Sequence, residues 1–169
     1  LGLAEQRLGK FLQEKSGYVL STKVGCLLRE DMSSCDEHHV VKRDTSSFKT
    51  PTPYSAVYDT SYDGFMHSFE ESLERLGVNT IDILFIHDPL DGTSVKELMM
   101  TGGKALLELR AQGLVKAIGV GMNYWEMPLE FVHTGLIDMV LLAGRYTLLE
   151  QTALPLLEAC ARHQVSVVI

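Results

Sequence analysis

Polar side chains that could exchange protons or hold a polar ligand recur where apolar runs of this sequence end. A lysine can form a Schiff base or lower the pKa of a neighbouring acid, and a histidine can titrate near neutrality or hydrogen-bond a substrate oxygen. Four successive runs deliver such residues, namely Lys23, His87 with Asp88, Asn123, and Arg145 with Tyr146. Four run ends of this kind indicate a site more strongly than any one of them.

Lys23 and His87 each have a structural alternative. A lysine among the apolar residues of a strand carries a large desolvation cost unless it is paired, so we expect Lys23 to find a carboxylate or to lose its proton. Alternatively, Lys23 lies on a strand edge or extends past the strand end into water. A histidine just past a strand, such as His87, often caps a loop or bonds a backbone carbonyl.

Three other chemistries have little support in the sequence. Asp82 and Asp88 flank an apolar run and do not form a carboxylate pair on one face, as glycosidases need. Ser21 with His87 would suggest a nucleophile and base, but no G-x-S-x-G occurs. Potential zinc ligands follow a C-x8-C-x2-H-H spacing that matches no common zinc pattern, and these are Cys26, Cys35, His38 and His39.

The elements that must position these residues alternate between helix and strand. Apolar residues at helical spacing predict helices, and short β-branched runs predict strands. The predicted order is helix 3–15, strand 18–24, helix 61–77, strand 81–86, helix 94–113, strand 115–120, helix 125–133, strand 137–142, helix 152–163 and strand 165–169. Between Cys26 and Ser61 periodicity disappears, which predicts a long loop that covers a site or forms mobile surface.

Alternation of this kind predicts right-handed βαβ units and a parallel sheet. A doubly wound sheet and part of a (β/α)8 barrel are both compatible with it. No G-x-G-x-x-G follows a strand, so the barrel is favoured over the dinucleotide-binding fold. A complete barrel takes about 250 residues. We therefore expect residues 1–169 to form a single barrel segment of about five strands, incomplete at both ends, as the opening at Leu1 and the uncapped run SVVI also indicate.

Composition excludes several classes of partner. The 169 residues carry a net charge of -7, without the basic stripe that nucleic acid requires. No apolar run approaches the length of a membrane span, and no signal peptide opens the chain, so we expect a cytoplasmic protein. The three cysteines do not describe a disulfide framework.

Four segments in this order resemble the aldo-keto reductases, NAD(P)(H)-dependent oxidoreductases built on a (β/α)8 barrel. LAEQRLG resembles the helix that follows the family's catalytic tyrosine, and YVLSTKVG resembles its catalytic lysine strand. IDILFIHDPL is similar to the strand that ends in the catalytic histidine, and VKAIGVGMN to the segment that ends in an asparagine at the nicotinamide amide. GVGMN together with LLAGRYTLLEQ most resembles aldose 1-dehydrogenases that act on fucose or galactose, and pyridoxal dehydrogenases.

The resemblance implies roles for four residues. Lys23 matches the lysine that tunes the catalytic tyrosine, and His87 matches the histidine that orients the substrate oxygen. Asn123 matches the contact to the nicotinamide carboxamide, although Met122 makes the segment one residue longer than the usual G-V-S-N. Tyr146 matches a tyrosine on the cofactor side.

Other parts of the family's machinery have no match in this chain. The position three before Tyr146, commonly a glutamine, is Ala143. The resemblance places the catalytic tyrosine and aspartate upstream of Leu1, and the loops that bind the cofactor's phosphates and adenosine after Ile169.

The expected function is hydride transfer between NADP or NAD and a sugar or small aldehyde, with no nucleic acid or membrane partner. Two alternatives stay open. The chain could be a non-catalytic fragment that binds a partner, and uncovered strand edges would then favour self-association. A Schiff-base aldolase that uses Lys23 is the other.

Overall fold

The computed structural model describes residues 2–30, 41–42 and 53–169. Helices and strands alternate along most of the chain, as the periodicity predicts. Their order is α1 (Leu3–Leu12), β1 (Ser21–Val24), β2 (Cys26–Arg29), β3 (Val41–Lys42), β4 (Ser55–Tyr58), α2 (Tyr62–Leu76), β5 (Ile81–His87), α3 (Val95–Met100), α4 (Gly102–Ala111), β6 (Val115–Met122), α5 (Glu126–His133), β7 (Met139–Leu142), α6 (Leu154–His163) and β8 (Ser166–Val168). None of the helices in these described ranges is long and apolar enough to cross a membrane.

Five of the strands form one parallel sheet in the order β1-β5-β6-β7-β8. Chain order and spatial order coincide, so the sheet has no point at which its winding reverses. Right-handed connections between strands in this order place all connecting helices on the same face. A doubly wound sheet would reverse its order and carry helices on both faces. The topology is therefore that of a barrel segment, which confirms the predicted fold class.

The core lies between this sheet and its helices. Strand side chains on the covered face are completely buried, among them Leu84, Ile86, Val120 and Val140. They meet buried helix residues such as Phe65, Phe69, Leu106, Phe131 and Leu156. The opposite face carries Lys23 and His87 and is only partly covered, so one side of the sheet builds the core and the other is available for a site.

The segment between Cys26 and Ser61 is not the uniform loop that its sequence predicts. Strands β2, β4 and β3 form a second, antiparallel sheet in that order. Leu27 on β2 and Ala56 and Val57 on β4 are buried, which explains why these short runs pair. The intervening residues 31–40 and 43–52 lie outside the described residues.

The single helix predicted between Ser94 and Gly113 is divided in two. Thr101, with φ −109° and ψ −95°, ends α3 and precedes α4. A Cβ on Gly102 would lie 2.1 Å from the Thr60 carbonyl oxygen, so only glycine permits this close approach. Gly102 and Gly103, which weaken the helical pattern of the sequence, thus lie where the predicted helix is interrupted.

Two aspartates at the amino end of the sheet each accept a hydrogen bond from a backbone N–H of a neighbouring chain segment. Asp82 accepts the Leu20 N–H at 2.8 Å and pairs with Lys116 at 2.7 Å. Asp138 accepts the Ile118 N–H at 2.9 Å. The Leu20 N–H, followed by Lys116, holds the pKa of Asp82 below its ordinary value. Asp82 therefore has a structural role at the end of the sheet opposite Lys23 and His87.

We expect Asp82→Asn to lower the free energy of unfolding at neutral pH by about 1–2 kcal/mol, because an amide accepts the Leu20 N–H less strongly than a carboxylate. The folded-state pKa of Asp82 is depressed, so its stabilisation is complete above about pH 4 and is lost as the pH falls through the lowered folded value. Urea unfolding at a series of pH values should show wild type and variant converging in acid. Asp91→Asn, at an exposed turn residue, should leave stability unchanged at every pH.

Candidate active site

Lys23 and His87 lie on the same face of the parallel sheet. Lys23 is in register with Phe85, and His87 is in register with Gly121 on the next strand. Residues in register on parallel strands point to the same side, and Phe85 and His87 are two apart on β5. The Lys23 Cε atom lies 3.4 Å from the position of a Cβ on Gly121. Gly121 therefore leaves space in which the lysine stem reaches across β5.

In the described residues the Lys23 side chain is exposed, and β1 is an outer strand of the five-stranded sheet. The side chain extends from the face of the sheet that carries Phe85 and His87. Its alternative reading, a lysine on an edge strand, describes its position.

His87 is the last residue of β5 and is held at a turn. Its Nε2 lies 3.5 Å from Asp88 Oδ2, and the two side chains are 30% and 24% exposed. Asp88 has a φ of 41°, in the left-handed region, and its N–H donates to the Gly121 carbonyl oxygen at 3.0 Å. A non-glycine residue in that conformation is uncommon and is found at functional sites. The turn keeps the histidine half-buried at the carboxyl end of the sheet.

A cavity of about 380 Å³ opens beside these two residues. Its lining combines both charge signs with apolar wall, and includes Glu5, Thr22, Lys23, Cys26, Arg75 and His87. Glu5 accepts hydrogen bonds from the Thr22 hydroxyl and, at 2.6 Å, from Arg75 Nε. A cavity whose largely apolar wall carries cationic groups and a histidine suits a small ligand with a few polar oxygens.

Glu5 and Arg75 were not among the residues predicted from sequence. They are 70 positions apart, on α1 and α2, and no local pattern connects them. The only available signal was the position of Glu5 within the segment LAEQRLG.

Asn123 and Tyr146 follow β6 and β7 at the same end of the sheet. Asn123 is exposed, and Tyr146 is half-buried, with its ring packed against the core. The Ala143 N–H donates to the Met122 carbonyl oxygen at 2.9 Å, which continues the ladder one residue beyond β7. All four predicted site residues thus lie at the carboxyl ends of adjacent parallel strands.

Cys26 is the one potential zinc ligand that can be placed. It lines the cavity, whereas Cys35, His38 and His39 lie outside the described residues. Across ranges 2–30, 41–42 and 53–169, no three metal-binding side chains form a group. Burial raises the pKa of the Cys160 thiol, so that cysteine is an unreactive core residue.

The fold and the placement of polar residues define a β/α-barrel protein with its site at the carboxyl ends of the strands. The chain belongs to the aldo-keto reductase family, whose sequence profile, described as "Aldo/keto reductase family", matches residues 1–169.

Two characterised relatives are similar over nearly the whole chain. A D-threo-aldose 1-dehydrogenase from Pseudomonas sp is 39% identical over 172 residues, which are 99% of this chain and 51% of that protein. A pyridoxal 4-dehydrogenase from Microbacterium luteolum is 36% identical over 90% of this chain and 48% of its own length. The chain therefore spans about half the length of the curated relatives it matches.

Solved structures support the barrel assignment. The holo form of an aldo-keto reductase from Bacillus halodurans superposes with a TM-score of 0.71, at 22% identity, over 99% of this chain and 47% of that one. A glycerol dehydrogenase from Gluconobacter oxydans gives a TM-score of 0.69, at 23% identity, over 99% and 44%. At these identities the likeness establishes the fold alone.

The residues present fit the nicotinamide end of a dinucleotide cofactor. In the described part of the chain, the Asn123 carboxamide makes no hydrogen bond. A carboxamide can both donate to and accept from another primary amide. Tyr146, which is half-buried, follows β7, the strand that pairs with β6. The site therefore offers amide and aromatic groups to a nicotinamide.

Proposed function

We propose that the full-length protein containing this chain is an NAD(P)(H)-dependent oxidoreductase that acts on the anomeric carbon of an aldose or on a small aldehyde. The observation that carries the proposal is the convergence of Lys23 and His87 on Gly121 beside a cavity that both side chains line. The two dehydrogenase relatives support the choice of a sugar or aldehyde substrate.

The proposed roles follow from the chemistry of each side chain. Asn123 and Tyr146 hold the nicotinamide, which supplies or accepts the hydride when the cofactor is bound. His87 donates a hydrogen bond to the substrate oxygen and so fixes the carbonyl carbon for the transfer. Lys23 places a positive charge beside the group that exchanges the proton, which favours the ionised form of that group.

The proton-exchanging group comes from outside these 169 residues in this proposal. The family resemblance assigns that role to a tyrosine, and no residue of the chain matches its position. Glu5 and Arg75 complete the wall of the cavity: Glu5 accepts a hydrogen bond from Thr22, next to Lys23, and Arg75 donates to Glu5.

The proposal is tested by assaying the full-length protein with NAD⁺ and NADP⁺ against fucose, galactose and pyridoxal, and with the reduced cofactors against small aldehydes. We expect production of reduced cofactor with at least one aldose, and its consumption with an aldehyde. Absence of turnover with the whole set would contradict the proposal. Borohydride trapping of a substrate adduct on Lys23 would instead support an aldolase.

The His87 side chain gives a more specific prediction. We expect His87→Ala to lower kcat/KM for the carbonyl substrate by about a hundredfold, the scale of one lost donor to a reacting oxygen. His87→Gln retains a donor and should recover part of the loss. Steady-state kinetics measure the effect, and His67→Ala, at an exposed helix residue, is the matched control. Equal rates for the two alanine variants would remove His87 from the mechanism.

The alternative, a non-catalytic chain that binds a partner, is not favoured, because the family match and the two dehydrogenase relatives support an oxidoreductase.

A further inference from the structure

Arg145 makes three contacts, two of which join the loop after β7 to the end of β6. Its Nε donates to the Asn123 carbonyl oxygen at 2.9 Å. Its guanidinium carbon lies 5.3 Å from the centre of the Tyr124 ring, and its Nη1 lies 3.4 Å from Glu150 Oε2. Planar stacking combined with directed hydrogen bonds is specific to arginine, and lysine does not reproduce it.

A turn at Gly144 brings Arg145 back over the end of β6. Gly144 has a φ of 68°, and a Cβ there would meet nothing within 4 Å. The backbone conformation at position 144 therefore favours glycine, although there is space for a side chain. Before the turn, the Ala143 N–H donates a hydrogen bond to the Met122 carbonyl oxygen. The carbonyl groups on both sides of the Asn123 α-carbon are therefore held by residues that follow β7.

The direction of the Asn123 side chain depends on this restraint. Asn123 is exposed, and no hydrogen bond from the described residues holds its carboxamide. Among the residues that the structure describes, the backbone around it, held by Arg145 and Ala143, is what limits where the amide points. We propose that Arg145 is a positioning residue, which fixes the Asn123 backbone so that the carboxamide meets the amide of the nicotinamide. This inference rests on the proposed function.

A double-mutant cycle in the full-length protein tests the proposal. The four proteins are wild type, Arg145→Met, Asn123→Ala and the double variant, and the readouts are KM for the nicotinamide cofactor and kcat. We expect Arg145→Met to raise the cofactor KM about tenfold, the scale of one hydrogen bond made by a charged group. In the Asn123→Ala background the same substitution should change it little, since the amide that Arg145 positions is already absent.

The non-additive result separates positioning from a general structural role. A loop that is merely loosened would raise the cofactor KM by the same factor in both backgrounds. Arg145→Lys keeps the positive charge but not the planar set of N–H donors, so its cofactor KM should lie between those of the wild type and Arg145→Met. Arg162→Met is the matched control, because Arg162 is an exposed helix residue whose ion pair with Glu158 is 3.7 Å long, and it should leave cofactor KM unchanged.

Two negative outcomes are distinguishable. Turnover by the wild type together with additive effects, or with no effect of Arg145→Met, overturns the positioning role and leaves the proposed function intact. A wild-type protein that neither turns over nor binds NAD(H) or NADP(H), as followed by cofactor fluorescence, overturns the proposed function and this inference with it.

Discussion

Replacing Lys23 by methionine in the full-length protein is expected to lower kcat by about a hundredfold to ten-thousandfold, the range for loss of acid–base assistance. Methionine keeps the unbranched stem that passes Gly121 and removes only the positive charge. Loss of that charge should also raise the pKa of the proton-exchanging group, so sugar oxidation by the variant should require higher pH. Rates measured across a pH series test both expectations.

In residues 1–169 by themselves the lysine side chain is exposed, so Lys23→Met should not change the stability of this chain. Lys104→Met, at an exposed position of α4, is the matched control for loss of one charge. A Lys23→Met protein with the kcat and pH profile of the Lys104→Met protein would exclude Lys23 from the chemistry.

Replacing Gly119 by alanine is expected to lower the free energy of unfolding by about 3 kcal/mol or more, the upper range for overpacking a core. A Cβ at this position would lie 2.3 Å from the Met139 carbonyl oxygen and 2.9 Å from Phe85 Cδ1. The first neighbour is backbone of the adjacent strand, so relief requires β6 and β7 to separate. Urea unfolding measures the loss.

Gly121 provides a control on the same strand and the same face. A Cβ on Gly121 would lie 3.4 Å from Lys23 Cε and 3.5 Å from Leu141 Cδ2, which are ordinary van der Waals distances. Gly121→Ala should therefore fold with nearly wild-type stability. Similar unfolding midpoints for the two alanine variants would show that β6 and β7 accommodate the extra methyl group.

Helices with clear local signals were predictable from sequence. Ser61 caps α2 by accepting the Gly64 N–H, and Gly77 ends the helix in the left-handed conformation. Both signals act within one turn of the chain, and the apolar spacing between them is fixed by the helical repeat. The five parallel strands were predictable for the same reason, because each is a short apolar run between turn residues.

Contacts between distant segments were not predictable. Strands β2 and β4 pair Leu27 with Val57, and neither run is long or regular enough to indicate a strand by itself. The Arg145 contact with Asn123 depends on the turn at Gly144 and on the adjacency of β6 and β7.

The alternation of elements and the positions of Lys23, His87, Asn123 and Tyr146 near strand ends followed from local sequence, because periodicity and turn residues are properties of neighbouring positions. Which side chains share a face depends on how the strands pair in the folded chain. Lys23 and His87 show the difference: they share a face because β1 pairs with β5, and neither strand alone indicates this pairing. Strand order is set by packing across the whole chain, and no local stretch of sequence contains it.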